Sequence, residues 1–253
     1  NVGVSNTALG RSAGATISDA SYTVLIGQDA GGAINNTGAN GTVVVGTFAG
    51  LALTSAAATI AIGYSAMKVH TTGARNIAIG YEAMDDTDAG STSLGSTDNI
   101  FMGYHAGGGT WANAASNYNV ALGYQAGINV STGGNNTFVG RDAGLQMRSG
   151  SNNVAVGTNA FYDSRGSSQH TIMGAYAGHN LEVATGQVHI GYKAGYANKT
   201  GTGAVAIGYE AMGGTAGTQE GHGIAIGYRA MFEVEDGSSG VAIGNSALNY
   251  LVG

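Results

Sequence analysis

The chain has 253 residues, a net charge of −6 and only 9% charged residues, so it has no basic surface of the kind that binds nucleic acid. It contains no cysteine, which excludes disulfides, thiolate metal sites and cysteine catalysis. No run of about 18 apolar residues occurs, so membrane insertion of this segment is not expected. Glycine is abundant, at 46 residues, and proline is absent, which suits a fold whose N–H groups bond from one coil to the next.

One short motif recurs along the whole chain and is clearest at residues 76–84, where the sequence is NIAIGYEAM. Its glycine is counted here as position 0. The fourteen copies place this glycine at Gly10, Gly27, Gly46, Gly63, Gly80, Gly103, Gly123, Gly140, Gly157, Gly174, Gly191, Gly208, Gly227 and Gly244. Nine of the thirteen spacings are 17 residues, and the others are 19, 23, 20 and 19. A period this short predicts one coil of a β-solenoid per motif.

The residue types at each motif position support strands. Position −3 is always β-branched and position −1 is always aliphatic or Met, as in a half-buried strand. Position +3 is Ala in every copy, which predicts an interior with room for a single methyl group. We therefore predict an all-β protein, a parallel β-solenoid (β-roll) of about 14 coils that forms one domain over residues 1–253. Both chain ends fall within a repeat, which predicts a piece of a longer fibrous protein.

Position −2 alternates with −3 and −1 and is therefore expected to face away from the coil's own core. It is nevertheless apolar in almost every copy, and a strand that is apolar on both faces is normally covered on both. This pattern predicts a subunit interface. The interface residues so predicted are Ala61, Ala78, Phe101, Ala121, Phe138, Ala155, Ile172, His189, Ala206, Ala225 and Ala242.

Two insertions supply candidate binding loops. The first carries Asp85, Asp86 and Asp88, whose oxygens could bind Ca²⁺ or form a solvated acidic loop. The second carries the only tryptophan, Trp111, either as an exposed contact for a ligand or as an anchor that holds the loop.

Tyrosine occupies position +1 in two runs of successive coils, from Tyr64 to Tyr124 and from Tyr192 to Tyr228. Stacked tyrosines are typical of a structural aromatic column, and a carbohydrate-binding surface is the alternative.

The units Asn-x-Ala-Ile-Gly-Tyr-x-Ala resemble the head repeats of YadA-type trimeric autotransporter adhesins and are also similar to repeats of phage tail fibres. The resemblance covers essentially the whole chain. It implies a left-handed β-roll, a homotrimer about a threefold axis, and a place on the extracellular surface of a bacterial cell or on a virion. With such an axis along the −2 face, three copies of His189 would meet and could bind a transition metal. The alternative is an interface histidine that forms a hydrogen bond.

The function predicted from these features is a structural and adhesive fibre module, a rigid trimeric rod that attaches to a host surface through a receptor or glycan. No cofactor is expected. Catalysis is not expected, because the histidines fall at different repeat positions and no paired carboxylates stand out. An ice-binding β-solenoid is the alternative, and a polysaccharide-degrading tailspike is less favoured. An aligned Thr array for ice and a carboxylate pair for glycan cleavage are the features that distinguish them.

Overall fold

The computed structural model describes residues 3–87, 95–111, 115–196, 198–199, 201–214, 223–234 and 240–251. The chain divides into two compact units, residues 1–134 and 135–253, and each is described by itself. In the described part of the chain, no helix has the length and apolar character needed to cross a bilayer.

The first unit is a stack of coils that each contribute one three-residue strand. Its elements are β1 (Thr7–Leu9), β2 (Val24–Ile26), a 3-10 helix (Thr37–Ala39), β3 (Val43–Val45), β4 (Ile60–Ile62), β5 (Ile77–Ile79), β6 (Ile100–Met102) and β7 (Val120–Leu122). Neighbouring strands pair parallel and in strict register, as in Ile60 with Ile77. The register survives the 23-residue spacing, where Ala78 pairs with Phe101. The insertion therefore leaves the ladder intact.

The second unit repeats this arrangement. Its elements are β8 (Thr137–Val139), β9 (Val154–Val156), β10 (Thr171–Met173), β11 (Val188–Ile190), β12 (Val205–Ile207), β13 (Ile224–Ile226), β14 (Glu233–Val234), β15 (Val241–Ile243) and β16 (Tyr250–Leu251). Strands β14 and β16 pair with each other, parallel and outside the main ladder. Both units are parallel β-solenoids with one three-residue strand for each motif copy, which confirms the predicted fold class.

The middle residue of each strand from β2 to β13, and of β15, faces the interior of its own coil, whereas Ala8 of the terminal strand β1 is exposed. In β5, Ala78 is fully buried, while Ile77 and Ile79 are partly exposed. The +3 alanines join this core, and Ala83 is fully buried as predicted. The coil is thus narrow enough that alanine fits at two of its interior positions, and the first and third residues of each strand face outward.

A size exchange between positions −2 and +4 keeps the interior filled. Where −2 is Ala, +4 is large in six coils: Ala61 with Met67, Ala78 with Met84, Ala155 with Phe161, Ala206 with Met212, Ala225 with Met231, and Ala242 with Leu248. Where −2 is larger, +4 is glycine in six coils: Leu25 with Gly31, Val44 with Gly50, Phe101 with Gly107, Phe138 with Gly144, Ile172 with Gly178, and His189 with Gly195. A Cβ atom on Gly107 or Gly144 would overlap the ring of Phe101 or Phe138. In eleven coils one large buried side chain therefore comes from either position, whereas Leu248 is 42% exposed, and the coils with Ala8 and Gly14 and with Ala121 and Gly127 have no large residue at either position.

This exchange predicts a coupled pair of substitutions. Ala225→Phe is expected to lower the free energy of unfolding by about 1–3 kcal/mol, because Met231 already fills that coil. Met231→Gly alone leaves a cavity and is expected to lose about 2–4 kcal/mol. The double variant restores the Phe-with-Gly pairing, so its loss should fall below the sum by about 1–2 kcal/mol in a double-mutant cycle. Urea unfolding measures all three, and strictly additive losses would contradict the exchange.

Polar side chains at position −4 form a buried ladder inside both units. Asn99 Nδ2 donates to Asn76 Oδ1 at 3.0 Å, and Asn119 Nδ2 donates to Asn99 Oδ1 at 3.1 Å. In the second unit Asn153 Nδ2 donates to Asn136 Oδ1 at 2.9 Å. Each amide thus satisfies the next, so the coils keep their polar groups paired away from water.

Candidate functional site

Both units carry an apolar surface made by the first and third residues of strands β1–β13 and β15, here called the outward stripe. All of these residues are Val, Ile, Leu, Met or Thr, and none is charged. Within the ladders they remain partly open to solvent, and Met102 and Met173 are 40% and 42% exposed. The face of a parallel sheet is normally covered. The outward stripe is therefore a surface that a partner can bury.

The interface predicted at position −2 is wrong. The residues assigned to it are Ala61, Ala78, Phe101, Ala121, Phe138, Ala155, Ile172, His189, Ala206, Ala225 and Ala242, and each is buried within a single chain. They are the middle residues of their strands and fill the coil interior, so no other subunit can reach them. The prediction correctly placed position −2 on the opposite face of the strand from −3 and −1. It assigned the faces the wrong way round, because the narrow core mostly holds the smaller residues at −2 and the Val and Ile residues at −3 and −1 lie outside.

Tyrosines at position +1 stack beside the ladder. Tyr64, Tyr81, Tyr104 and Tyr124 have successive ring centroids 5.2, 5.2 and 5.0 Å apart and planes within 13° of parallel. A second column joins Tyr192, Tyr209 and Tyr228 at 5.1 and 5.3 Å. The predicted aromatic column is confirmed. Neighbouring tyrosines cover the ring faces, so the columns mainly present ring edges and hydroxyl groups to solvent.

His189, predicted as a metal ligand on a threefold axis, lies inside the coil core of β11. Its side chain is fully buried, and a Cβ atom on Gly195 would overlap the imidazole. Among the described residues, neither ring nitrogen has a hydrogen-bond partner, and burial lowers the pKa of His189 to about 3. Three copies cannot meet around a side chain enclosed by its own chain, so the threefold metal site is wrong, as is the alternative of a hydrogen bond to a neighbouring subunit.

Trp111 is an anchor and not an exposed contact. Its side chain is fully buried and packs edge-on against Phe101, with ring centroids 5.6 Å apart. Its Nε1–H donates to the Gly107 carbonyl at 3.1 Å, and its backbone N–H donates to the Asp86 carbonyl at 3.2 Å. Of the two alternatives for this loop, the structure therefore shows the anchor.

The predicted acidic loop is described only in part, because Asp88 lies outside the described residues. The Asp86 carboxylate accepts a hydrogen bond from Thr110 Oγ1 at 2.8 Å. Asp85 turns instead towards Glu82 and His105, and burial raises the pKa of its carboxyl to about 6. Among the His, Asp and Glu side chains of the described residues, one group of three has donor atoms within 4.8 Å of one another. It consists of Glu82, Asp85 and His105, and so it includes Asp85 but not Asp86.

Two features were missed from the sequence. One is the outward stripe, whose columns of bulky apolar residues are visible in the repeat but were assigned to the core. The other is the group of Glu82, Asp85 and His105. The sequence could have indicated this group, because Glu82 and His105 both occupy position +2 of successive coils. The ladder therefore brings them together although they are 23 residues apart in the chain.

No protein-family model matches the chain, and comparison with curated proteins and with solved structures gives no significant match.

Proposed function

We propose that the chain is part of a structural and adhesive fibre module, in which three copies associate through the outward stripe and present their remaining surfaces for attachment to a host cell or other surface. The observation that carries the proposal is the outward stripe itself. An uncharged surface repeated on every strand is far more regular than the scattered apolar residues of an ordinary protein surface.

The occupant proposed for the outward stripe is a second and third copy of this chain. Each strand presents the same pair of apolar positions, so another copy offers a matching period for the full length of the ladder. No charge on the stripe calls for a partner of opposite sign. Burying apolar area stabilises an assembly by about 25 cal/mol per Å² before the costs of association, so a contact repeated on every coil adds up. The resemblance of the repeats to trimeric adhesins makes three the expected number of copies.

Charge placed on the outward stripe is expected to dissociate this trimer. In the double variant Ile62→Glu with Ile79→Glu, two carboxylates per chain would enter an apolar interface without partners. We expect the native chain to sediment as a trimer and the double variant as a folded monomer, with the association constant reduced at least 100-fold. Analytical ultracentrifugation with circular dichroism measures both properties.

The matched control is Lys68→Glu, which also introduces a carboxylate but at an exposed position outside the stripe. It should remain trimeric. A native chain that is monomeric at high concentration, or a double variant that stays trimeric, would contradict the assembly.

Attachment is tested with the same variants on a glycan array and on intact target cells. Three linked copies bind a surface far more tightly than one copy through effective concentration alone, commonly by 100-fold or more. The native trimer is therefore expected to bind where the monomeric double variant does not. Native protein that binds neither surface would count against the adhesive role and leave the assembly standing.

A further inference from the structure

Glu82, Asp85 and His105 meet where two coils are joined across the long insertion. Glu82 follows β5 at position +2, His105 follows β6 at the same position, and Asp85 lies one turn after Glu82. Glu82 and His105 share a left-handed backbone, with φ of 51° and 53°, so their side chains leave successive coils in the same way. One donor atom from each of the three residues lies within 4.8 Å of the other two.

Part of this group is paired and part is not. His105 Nε2 lies 2.7 Å from Glu82 Oε2, which fixes the ring beside the carboxylate. Asp85 Oδ1 and His105 Nδ1 are both buried atoms that lack a hydrogen-bond partner among the described residues. A buried, unpaired carboxylate oxygen next to an unpaired imidazole nitrogen is unfavourable unless something else binds them.

Gly108 packs directly against these two atoms. A Cβ atom at Gly108 would lie 2.7 Å from Asp85 Oδ1, 2.7 Å from the Glu82 carbonyl oxygen and 3.1 Å from His105 Nδ1. Three electron-pair donors therefore converge beside Gly108, where any larger residue would clash with them. Their converging lone pairs and the two nearby carboxylates favour a cation there.

We propose that Glu82, Asp85 and His105 bind a divalent first-row transition metal, with Zn²⁺ as its representative. One imidazole nitrogen with two carboxylates is a donor set that suits Zn²⁺, whereas Ca²⁺ prefers oxygen ligands throughout. Donor atoms around such an ion lie about 3–4 Å apart, given ligand distances of about 2.0–2.2 Å. The Glu82 and His105 side chains, each about a quarter exposed, have room for the small rotations needed to reach that geometry. The ion would join the β5 coil to the β6 coil beside the insertion and leave coordination positions open to water or a ligand.

Calorimetric titration of the tag-free native protein with ZnCl₂ tests the site, with CaCl₂ as the comparison. We expect one Zn²⁺ per chain and much weaker binding of Ca²⁺. The single variants Glu82→Gln, Asp85→Asn and His105→Asn should each weaken Zn²⁺ binding at least 10-fold, since even changes behind the ligands cost that much. Titration with Co²⁺ gives a second readout, because its visible absorption changes when an imidazole nitrogen binds.

Glu210→Gln is the matched control. Glu210 also occupies position +2 and pairs with a +2 residue of the next coil, Arg229, at 3.3 Å, but it has Gly213 where Glu82 has Asp85. This variant should bind Zn²⁺ as the native chain does. Absence of Zn²⁺ binding by folded native protein would overturn the proposal, as would binding that survives His105→Asn and Asp85→Asn or that falls equally in Glu210→Gln. Circular dichroism of each variant separates loss of the site from loss of the fold.

Discussion

Replacing Gly103 with alanine is expected to lower the free energy of unfolding by more than about 4 kcal/mol, which is exceptionally large for the addition of one methyl group. Gly103 has φ of +141°, a region that side chains rarely adopt and that costs about 1–3 kcal/mol. Its Cβ atom would also overlap the carbonyl oxygen of Gly123 in the next coil. Backbone cannot move aside as a side chain can, so the ladder between β6 and β7 would have to separate. Urea unfolding followed by circular dichroism measures the loss.

Gly244 provides the control for this substitution. It is a motif glycine with φ of +128°, yet no described atom lies within 4 Å of the position its Cβ would take. Gly244→Ala therefore carries the backbone strain without the clash and should lose no more than about 1–3 kcal/mol. If both variants lost the same free energy of unfolding, the close approach of successive coils would not explain why glycine recurs at position 0 of every motif copy.

Replacing His189 with phenylalanine is expected to stabilise the protein, although it changes a fully buried residue. Phe101 and Phe138 already occupy position −2 in coils that have glycine at +4. His189 also occupies −2, and the +4 residue of its coil is Gly195. The exchange removes two buried nitrogens that lack hydrogen-bond partners in the described part of the chain, each of which costs about 1–3 kcal/mol. We expect a gain of about 2 kcal/mol at pH 7.5, measured by urea unfolding.

The gain should increase in acid. Burial lowers the pKa of His189 in the folded chain to about 3, from 6.5 in the unfolded chain. Below pH 6.5 the unfolded chain therefore binds a proton that the folded chain does not, and stability falls as the pH decreases towards 3. Between pH 7.5 and pH 4.5 this one group costs about 3 kcal/mol. The phenylalanine variant should lack that part of the decline.

Two other groups titrate in the same range and are common to both proteins. His170 is also buried, with its folded pKa lowered to about 4, so it adds to the acid loss. Asp85 acts in the opposite sense, because its folded pKa is raised to about 6 and the folded chain binds its proton first. The difference in stability between the native chain and the variant therefore isolates His189.

The control is His179→Phe, which makes the same exchange at a partly buried histidine stacked between Tyr162 and Tyr196. It tests whether removing any histidine has this effect. Parallel pH profiles for native and His189→Phe would contradict the argument.

The repeat predicts the ladder accurately because glycine and β-branched residues recur in fixed phase. Every motif copy forms a strand at positions −3 to −1, and the +3 alanines lie inside as expected, except that Ala13 and Ala247 are only partly buried. The direction of each face could not be taken from alternation alone. Hydrophobic size usually indicates the core, but this coil is too narrow for two Ile residues per strand, so Ala78 faces inward and Ile77 and Ile79 face outward.

The sequence nevertheless contains the signal that would have settled the direction. Large residues at −2 coincide with glycine at +4, and such an exchange of volume arises only between side chains that share one enclosed space. The burial of Trp111, in contrast, could not be predicted from the repeat. Its burial depends on Phe101 and on a carbonyl at Gly107, a contact within one irregular loop that the repeat does not specify.

The exchange of volume between −2 and +4 also bears on how such a gene can change. Most coils contain their own compensating pair, so unequal crossing-over between repeats can delete or duplicate such a coil and leave the pairs in the remaining coils intact. Single nucleotide changes at either position are less tolerated, because each needs its partner to change as well. Selection should therefore favour variation in the number of repeats over variation within them.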